Sequence, residues 1–333
     1  MTSSSVIGVV IPYYQREAGI LARALRSVAR QRNIKNVLVV VVDDASPAPA
    51  AQDIAEIQEG FPFPLEVIVQ PNGGPGAARN RALEALAGRV RYVAFLDSDD
   101  EWLPTHLENA CNALKRGYDF YFSDFYFSDY KEKSAFIRAG KIPLDEHHLI
   151  DSEHHFYQYC GNMLDQILVR GNVIGTSNVV YHFHKFTTLR FREQFFNGQD
   201  YLFWLDLSSN TKQIVFSSQI ECDCGVGVNI YAKSGWGSEK SLYRLRNEIF
   251  LWTIVGKEFC TTLSQIEANS SRLQRIRESI VRDIVHRILH HLPLDKNILW
   301  DIFRIDSTFL LHAISISMRI FLQKWLLPKA MDY

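Results

Sequence analysis

Paired metal-binding cysteines are missing from this chain. Its five cysteines, Cys111, Cys160, Cys222, Cys224 and Cys260, are an odd number, and the one close pair, Cys222 and Cys224, is too tight for a ribbon-type zinc site. The thiols therefore read as reduced, in a cytosolic chain. His147-His148, His154-His155 and His182-x-His184 give no complete set of four convergent ligands and read as ordinary surface or core histidines. No basic region accompanies Met1-Thr2-Ser3-Ser4-Ser5 before the first apolar run, so no secretory leader is expected. Repeats and low-complexity tracts are lacking too. Apolar residues dominate 309–327, but His312, Ser315, Arg319 and Gln323 cut a polar stripe through it at helical spacing, which makes a poor membrane span. Net charge is nearly absent, at -1. That balance hides an asymmetry: residues 240–333 carry 14 Lys/Arg against 9 Asp/Glu, leaving 22 against 28 in the rest. A basic tail with no nucleic-acid-binding motif points to a membrane surface before it points to nucleic acid, and no nucleic-acid partner is expected.

What is present is an ordinary globular composition, 47% hydrophobic and 22% charged, over 333 residues. That length suits one large domain with a substantial appendage. Residues 6–11 form a continuous β-rich run closed by Pro12, the pattern of a strand buried on both faces of a parallel sheet. Ile20, Leu21, Leu25 and Val28 then recur at helical spacing. A second continuous apolar run at 37–42 and further strands at 65–69 and 92–96 follow, with helix-compatible segments at 51–58 and 77–86 between them. Strands alternating with helices predict a doubly wound α/β sheet, in which ligands bind beyond the carboxyl ends of the strands. Farther on, the pattern predicts a helix over 107–114, an aromatic strand over 119–127 and an irregular, His-rich segment over 136–161. A strand entered through a small-residue turn follows at 173–181, then a helix over 199–207, and helices from about residue 240.

The polar clusters sit at predicted strand ends. Asp97-Ser98-Asp99-Asp100 closes the fourth run, and carboxylates there are hard oxygen ligands of the kind that join Mg²⁺ or Mn²⁺ to substrate phosphates. Asp43-Asp44 closes the second, where a carboxylate accepts from a base or ribose, or simply caps a turn. Gly73-Gly74-Pro75-Gly76 with Arg79 closes the third, letting backbone approach a ligand while a guanidinium meets a base or phosphate. No Gly-Lys-Ser/Thr follows, and no Gly-x-Gly-x-x-Gly is present, so P-loop and dinucleotide sites are disfavoured.

Val9-Val10-Ile11-Pro12-Tyr13-Tyr14, Val42-Asp43-Asp44-Ala45-Ser46, Gly73 to Asn80 and Phe95-Leu96-Asp97-Ser98-Asp99-Asp100, in this order and spacing, resemble the family 2 glycosyltransferases of the GT-A fold. Among these the chain is similar to the bacterial succinoglycan-type exopolysaccharide glucosyltransferases. The resemblance is strong over residues 6–110 and moderate to about 235. It implies an α/β, GT-A-type doubly wound mixed sheet, the nucleotide-diphospho-sugar transferase fold, over 1–239, with a C-terminal helical extension over 240–333. It also implies a donor-nucleotide site of Pro12, Tyr13, Asp43, Asp44, Gly74, Arg79, Asp97 and Ser98, with Asp44 toward the base. Asp99 would be the leading ligand of Mn²⁺ or Mg²⁺ and Asp97 its support; Asp100 receives no role. In Asn197-Gly198-Gln199-Asp200, Gln199 stands where the family has Glu, and Asp200 matches the general base. Relatives often place a His or Arg afterwards. Here residues 225–238 offer Asn229 or Lys233 instead, and Trp236 in a Gly-Trp-Gly segment reads either as a lid that stacks on sugar or as a surface loop.

The function implied is an inverting, metal-dependent transfer of a hexose, glucose from UDP-glucose, to a growing surface or exopolysaccharide acceptor, with a β-linked product. A lipid-linked acceptor would suit an interfacial C-terminal helix at the inner face of the cell membrane. The plainer reading of that helix is packing on the catalytic domain or in a homo-oligomer. The alternative functions are a sugar-phosphate nucleotidyltransferase and a degenerate scaffold in polysaccharide assembly.

Overall fold

The structure is a computed structural model that describes residues 5–195, 197–225, 234–235 and 237–326. Two compact units divide the chain, 1–228 and 229–333. The first is built on one ten-stranded sheet. Its parallel half contains β1 (Ser5–Tyr13), β2 (Val37–Asp43), β3 (Leu65–Val69) and β4 (Val90–Phe95), in the order β3-β2-β1-β4. All seven residues of β2 are buried, because helices cover both faces. Its run of β-branched valines favours extended backbone under that packing. The helices in the connections are α1 (Ile20–Ala29), α2 (Ala50–Ile57) and α3 (Gly74–Leu86). Val9 lies opposite Val39 on one side and Ala94 on the other, so β1 is central and its carboxyl end opens between those of β2 and β4.

Beyond β4 the sheet becomes mixed. The two-residue β5 (Glu101–Trp102) and α4 (His106–Lys115) lead to β6 (Phe120–Phe127). After α5 (Ala135–Ala139) come β7 (His148–Asp151) and β8 (Phe156–Gln158); after α6 (Met163–Asp165), β9 (Val179–Tyr181) lies antiparallel between β4 and β6. Helix α7 (Gln199–Asn210) precedes β10 (Ile214–Cys224), which runs parallel to β6 and antiparallel to β8 and β5. The strand expected over 173–181 is thus only three residues long, and its small residues Thr176–Asn178 form a tight 3₁₀ turn instead. The segment 136–161, expected to be irregular, contains β7 and β8.

Aromatic packing fixes α7 on the sheet. Phe95 stacks on Tyr181 at 5.8 Å and meets Phe203 and Trp204 edge-on, while Phe191 stacks on Phe203 at 4.3 Å. Offset and T-shaped pairs of this kind add directional preference to plain area burial.

The second unit is helical: α8 (Ser241–Glu258), α9 (Leu263–Leu289), α10 (Lys296–Ile305) and α11 (Phe309–Leu326). Leu245, Ile249, Ile276, Ile280, Ile302, Phe309 and Ile316 form its core. Helix α9 begins with a capping box in which Thr262 and Gln265 satisfy each other's backbone N–H groups. Helix α9 buries Ile276 and Ile280, whereas Ile288 near its end is 58% exposed. Arg287 is buried as well. It pairs with Asp283 at 2.7 Å and donates to Ser241 at 2.9 Å.

Candidate active site

The carboxyl ends of β1, β2 and β4, together with the amino ends of α3 and α7, carry the predicted site residues. Pro12 lies opposite Val42 in the β1–β2 ladder. Tyr13 is fully buried and donates its hydroxyl to the Ala48 carbonyl at 2.8 Å. Burial first, then the charges of Asp53 and Asp43, pushes its phenol up to about 12. Asp43 accepts from the Ser46 and Ala50 backbone N–H groups, each at 2.8 Å. Tyr13 and Asp43 therefore shape the loop that leads into α2.

Asp44 does comparable work for the next helix. Its Oδ1 accepts from Gln70 Nε2 at 2.7 Å and Gly73 N at 2.8 Å, and its Oδ2 from Gly74 N at 2.8 Å. A carboxylate on the first N–H groups of α3 opposes the positive end of the helix dipole. Gly74 adopts φ +85°, which a residue with a Cβ rarely takes.

One turn into α3, Arg79 is 4% exposed and donates through Nη2 to Asp97 Oδ1 at 2.5 Å. Its guanidinium lies 5.3 Å from the Phe191 ring centre. Its buried Nε and Nη1 atoms have no hydrogen-bond partner among the described residues. Buried donors are normally satisfied, so two on one guanidinium mark a place for an anionic ligand.

The acidic turn that follows β4 divides its side chains between surfaces. Asp97 and Asp99 are partly exposed, whereas Ser98 is buried and accepts from Gln15 Nε2 at 3.1 Å. Asp100 faces inward, accepting from Gly225 N at 2.7 Å and from the Ser177 hydroxyl. Burial, followed by the charges of Asp97 and Asp99, raises its carboxyl to about 8. Beside it the Sγ atoms of Cys222 and Cys224 are 3.9 Å apart. The donor atoms of these three residues lie within 4.8 Å of one another, among the described residues one ligand short of a four-coordinate structural zinc site.

Asp200 occupies the first turn of α7, after Gly198 in a left-handed conformation. Its Oδ1 accepts from Tyr201 N at 2.8 Å, and Thr176 Oγ1 lies 3.4 Å from Oδ2. Helices α3 and α7 meet where Gly76 faces Gln199: a Cβ added to Gly76 would lie 3.0 Å from Gln199 Cγ. Tyr13, Asp43, Asp44, Gly74, Arg79, Asp97, Ser98 and Asp99 thus gather at one end of the sheet, and Asp200 reaches it through Thr176. Asn229, Lys233 and Trp236 lie outside the described residues. Ser177, Gly225 and the inward role of Asp100 are additions that sequence reasoning missed. The small-residue turn before β9 was visible in the sequence, but nothing there showed that it touches the acidic turn.

A family described as "Glycosyl transferase family 2" matches residues 8–170. The succinoglycan biosynthesis protein ExoW of Rhizobium meliloti is 35% identical over 227 residues, which cover 67% of this chain and 70% of that protein. The chain belongs to glycosyltransferase family 2. The minor teichoic acid biosynthesis protein GgaA of Bacillus subtilis is 30% identical over 118 residues, 35% of this chain and 25% of that protein. Among solved structures, residues 1–349 of S. aureus TarS align with TM-score 0.58 and 16% identity, over 98% of this chain and 94% of that one. The mannosyltransferase PcManGT from Pyrobaculum calidifontis, solved with GDP-Man and Mn²⁺, aligns with TM-score 0.54 and 14% identity, over 97% and 89%. These likenesses establish the GT-A fold and a glycosyltransferase, and the nucleotidyltransferase alternative gives way to them.

Proposed function

We propose that this family 2 glycosyltransferase is inverting and metal-dependent, and moves glucose from UDP-glucose to a growing exopolysaccharide. The observation that carries the reading is the Arg79–Asp97 pair, whose guanidinium keeps two buried N–H groups without partners among the described residues, beside the acidic turn. Those donors fit a diphosphate, and the partly exposed carboxylates of Asp97 and Asp99 fit a hard divalent cation. Held by Asp99 with Asp97, Mn²⁺ or Mg²⁺ would supply charge neutralisation at the departing diphosphate. The similarity to a succinoglycan biosynthesis protein supports the acceptor class, and the Mn²⁺ in the mannosyltransferase structure supports the metal.

In this reading Asp200 takes the proton of the acceptor hydroxyl as its oxygen bonds to the anomeric carbon. The bond from that carbon to the diphosphate oxygen breaks on the opposite face, and the nucleoside diphosphate leaves. Arg79 meets the growing charge on the leaving group. Residues Tyr13, Asp43 and Asp44 hold the loops that frame the nucleotide, and Pro12, Gly74 and Ser98 supply close-packed walls. General-base help is worth about 10²–10⁴-fold in rate. Asp200→Asn should therefore lower kcat for UDP release by that order while leaving donor affinity unchanged. A variant that turns over at the wild-type rate would remove Asp200 from the role, and a wild type inert toward every nucleotide sugar would favour the scaffold alternative.

No helix among the described residues is long and apolar enough to cross a membrane. Helix α11 buries Phe309 and Ile316 but leaves Leu310, Leu311, Ile314 and Met318 more than half exposed on its other side. We read that face as a contact surface, either for a bilayer bearing a lipid-linked acceptor or for a second copy of the chain. Flotation on anionic vesicles and light scattering tell the two apart.

A further inference from the structure

We infer that Ser177 is the positioning residue of the transfer site, and that the turn Thr176–Asn178 holds the acidic turn and the general base in one frame. The inference rests on the transferase reading above. Ser177 is 1% exposed, so it does not reach substrate itself. Its hydroxyl accepts from the Asp97 backbone N–H at 2.9 Å and donates to the Asp100 carboxyl. Its carbonyl accepts from Trp102 Nε1 at 2.5 Å. One residue therefore grips the acidic turn at its start, its end and the short strand beyond. The preceding residue, Thr176, places its hydroxyl 3.4 Å from Asp200 Oδ2.

The turn is itself fixed. Asn178 is fully buried and donates through Nδ2 to the Ser123 carbonyl at 3.2 Å, while its N–H returns to Gly175 at 3.2 Å. A Cβ on Gly175 would lie 3.2 Å from the Phe125 ring, so the approach to the turn is close-packed as well. Strand β9 then continues directly from the turn and pairs with β4, the strand from which the acidic turn emerges. The two hydrogen bonds of Ser177 fix the backbone that carries Asp97 and the carboxyl of Asp100, and through them the direction of Asp97 and Asp99. Partners at this remove from a cation typically change its affinity, or activity, by about 10–100-fold when removed.

The test uses the full chain as wild type, Ser177→Ala, Ser177→Thr and Thr176→Val. Free Mn²⁺ is titrated by electron paramagnetic resonance without donor, and UDP release is followed with Mn²⁺ and UDP-glucose. Ser177→Ala should weaken Mn²⁺ by roughly tenfold or more and lower kcat at saturating metal, and Ser177→Thr, which keeps the hydroxyl, should recover most of both. Thr176→Val should lower kcat and leave Mn²⁺ affinity alone. A wild type that takes no Mn²⁺ and releases no UDP would defeat the transferase reading. A wild type that does both, beside a folded Ser177→Ala with unchanged Mn²⁺ affinity and kcat, would overturn the positioning role alone. So would a Ser177→Ala whose only defect is a lower melting temperature. Should Ser177→Ala not fold, Ser177→Thr with neither affinity nor rate near wild type overturns it equally.

Discussion

At the scale of single residues, Gly225 has the least room of the described glycines. A Cβ placed there would lie 2.1 Å from the Asp99 carbonyl oxygen and 2.9 Å from Asp99 Oδ2, while the Gly225 N–H donates to Asp100. Backbone cannot yield as a flexible side-chain tip does, so Gly225→Ala must displace either the end of β10 or the acidic turn. Overpacking of this kind costs about 1–3 kcal/mol. The folded variant should therefore release UDP at least about tenfold more slowly, since an error of about 1 Å at a site can cost far more than that in rate. Wild-type rates in a normally folded Gly225→Ala would show that the turn tolerates the shift. Asp97, Asp99 and Asp200 were legible in the sequence as candidates because they stand in short local motifs that the family resemblance matches. Gly225 and Ser177 were not, because each acts through a contact with a residue about 80 or more positions away, which no spacing rule encodes.

At the scale of elements, Asp306 joins three helices of the second unit. It follows α10, accepts from Thr308 N at 3.2 Å and Thr308 Oγ1 at 2.7 Å at the entry to α11, and pairs with Arg277 of α9 at 2.6 Å. Burial pushes its carboxyl up, but the hydrogen bonds from Arg277 and Thr308 and the guanidinium charge outweigh that and hold it below the usual carboxylate range. A group whose value falls on folding adds stability above its unfolded value of about 3.9, and that stability disappears as pH drops through the folded value. Asp306→Asn should cost about 1–3 kcal/mol at neutral pH, since it takes the charged partner from a partly buried guanidinium. It should also flatten the acid limb of stability against pH, measured by urea unfolding at a series of pH values. An equally steep acid limb in the variant would assign the acid loss to other carboxylates. The elements themselves were unevenly legible. Strands β1 to β4 include continuous apolar runs and could be read directly. Strand β10 could not, because Ser217, Gln219, Glu221 and Asp223 break its pattern, and its ladder with β6 shifts register twice. Its buried Glu221 is tolerated only through Tyr121, Asn109 and His106, which approach from β6 and α4 at 2.7–2.9 Å.

At the scale of the whole molecule, the division at residue 228 gives nucleotide binding a distinctive thermal signature. Every residue assigned to donor or metal, from Pro12 to Asp99, lies in the first unit, as does Asp200. A ligand that binds only the native state at 100 times its Kd adds about 2.7 kcal/mol. For a unit of roughly this size each kcal/mol moves the midpoint by about 2–4 °C, so UDP with Mn²⁺ should raise the first unit's transition by roughly 5–10 °C. A transition belonging to the helical unit should move less, because the residues from Pro12 to Asp99 lie outside it and only Asn229 or Lys233, offered by the sequence, falls within it. Calorimetry of the full chain, with UDP alone, Mn²⁺ alone and both, separates the nucleotide and metal contributions. In Asp99→Ala the part that needs both ligands together should vanish, while any shift from UDP alone, carried by Arg79 and the loops after β2 and β3, should persist. If Asp99→Ala kept the full synergistic shift, the acidic turn would no longer be the metal site. A shift confined to the second unit would move the donor site away from the sheet altogether.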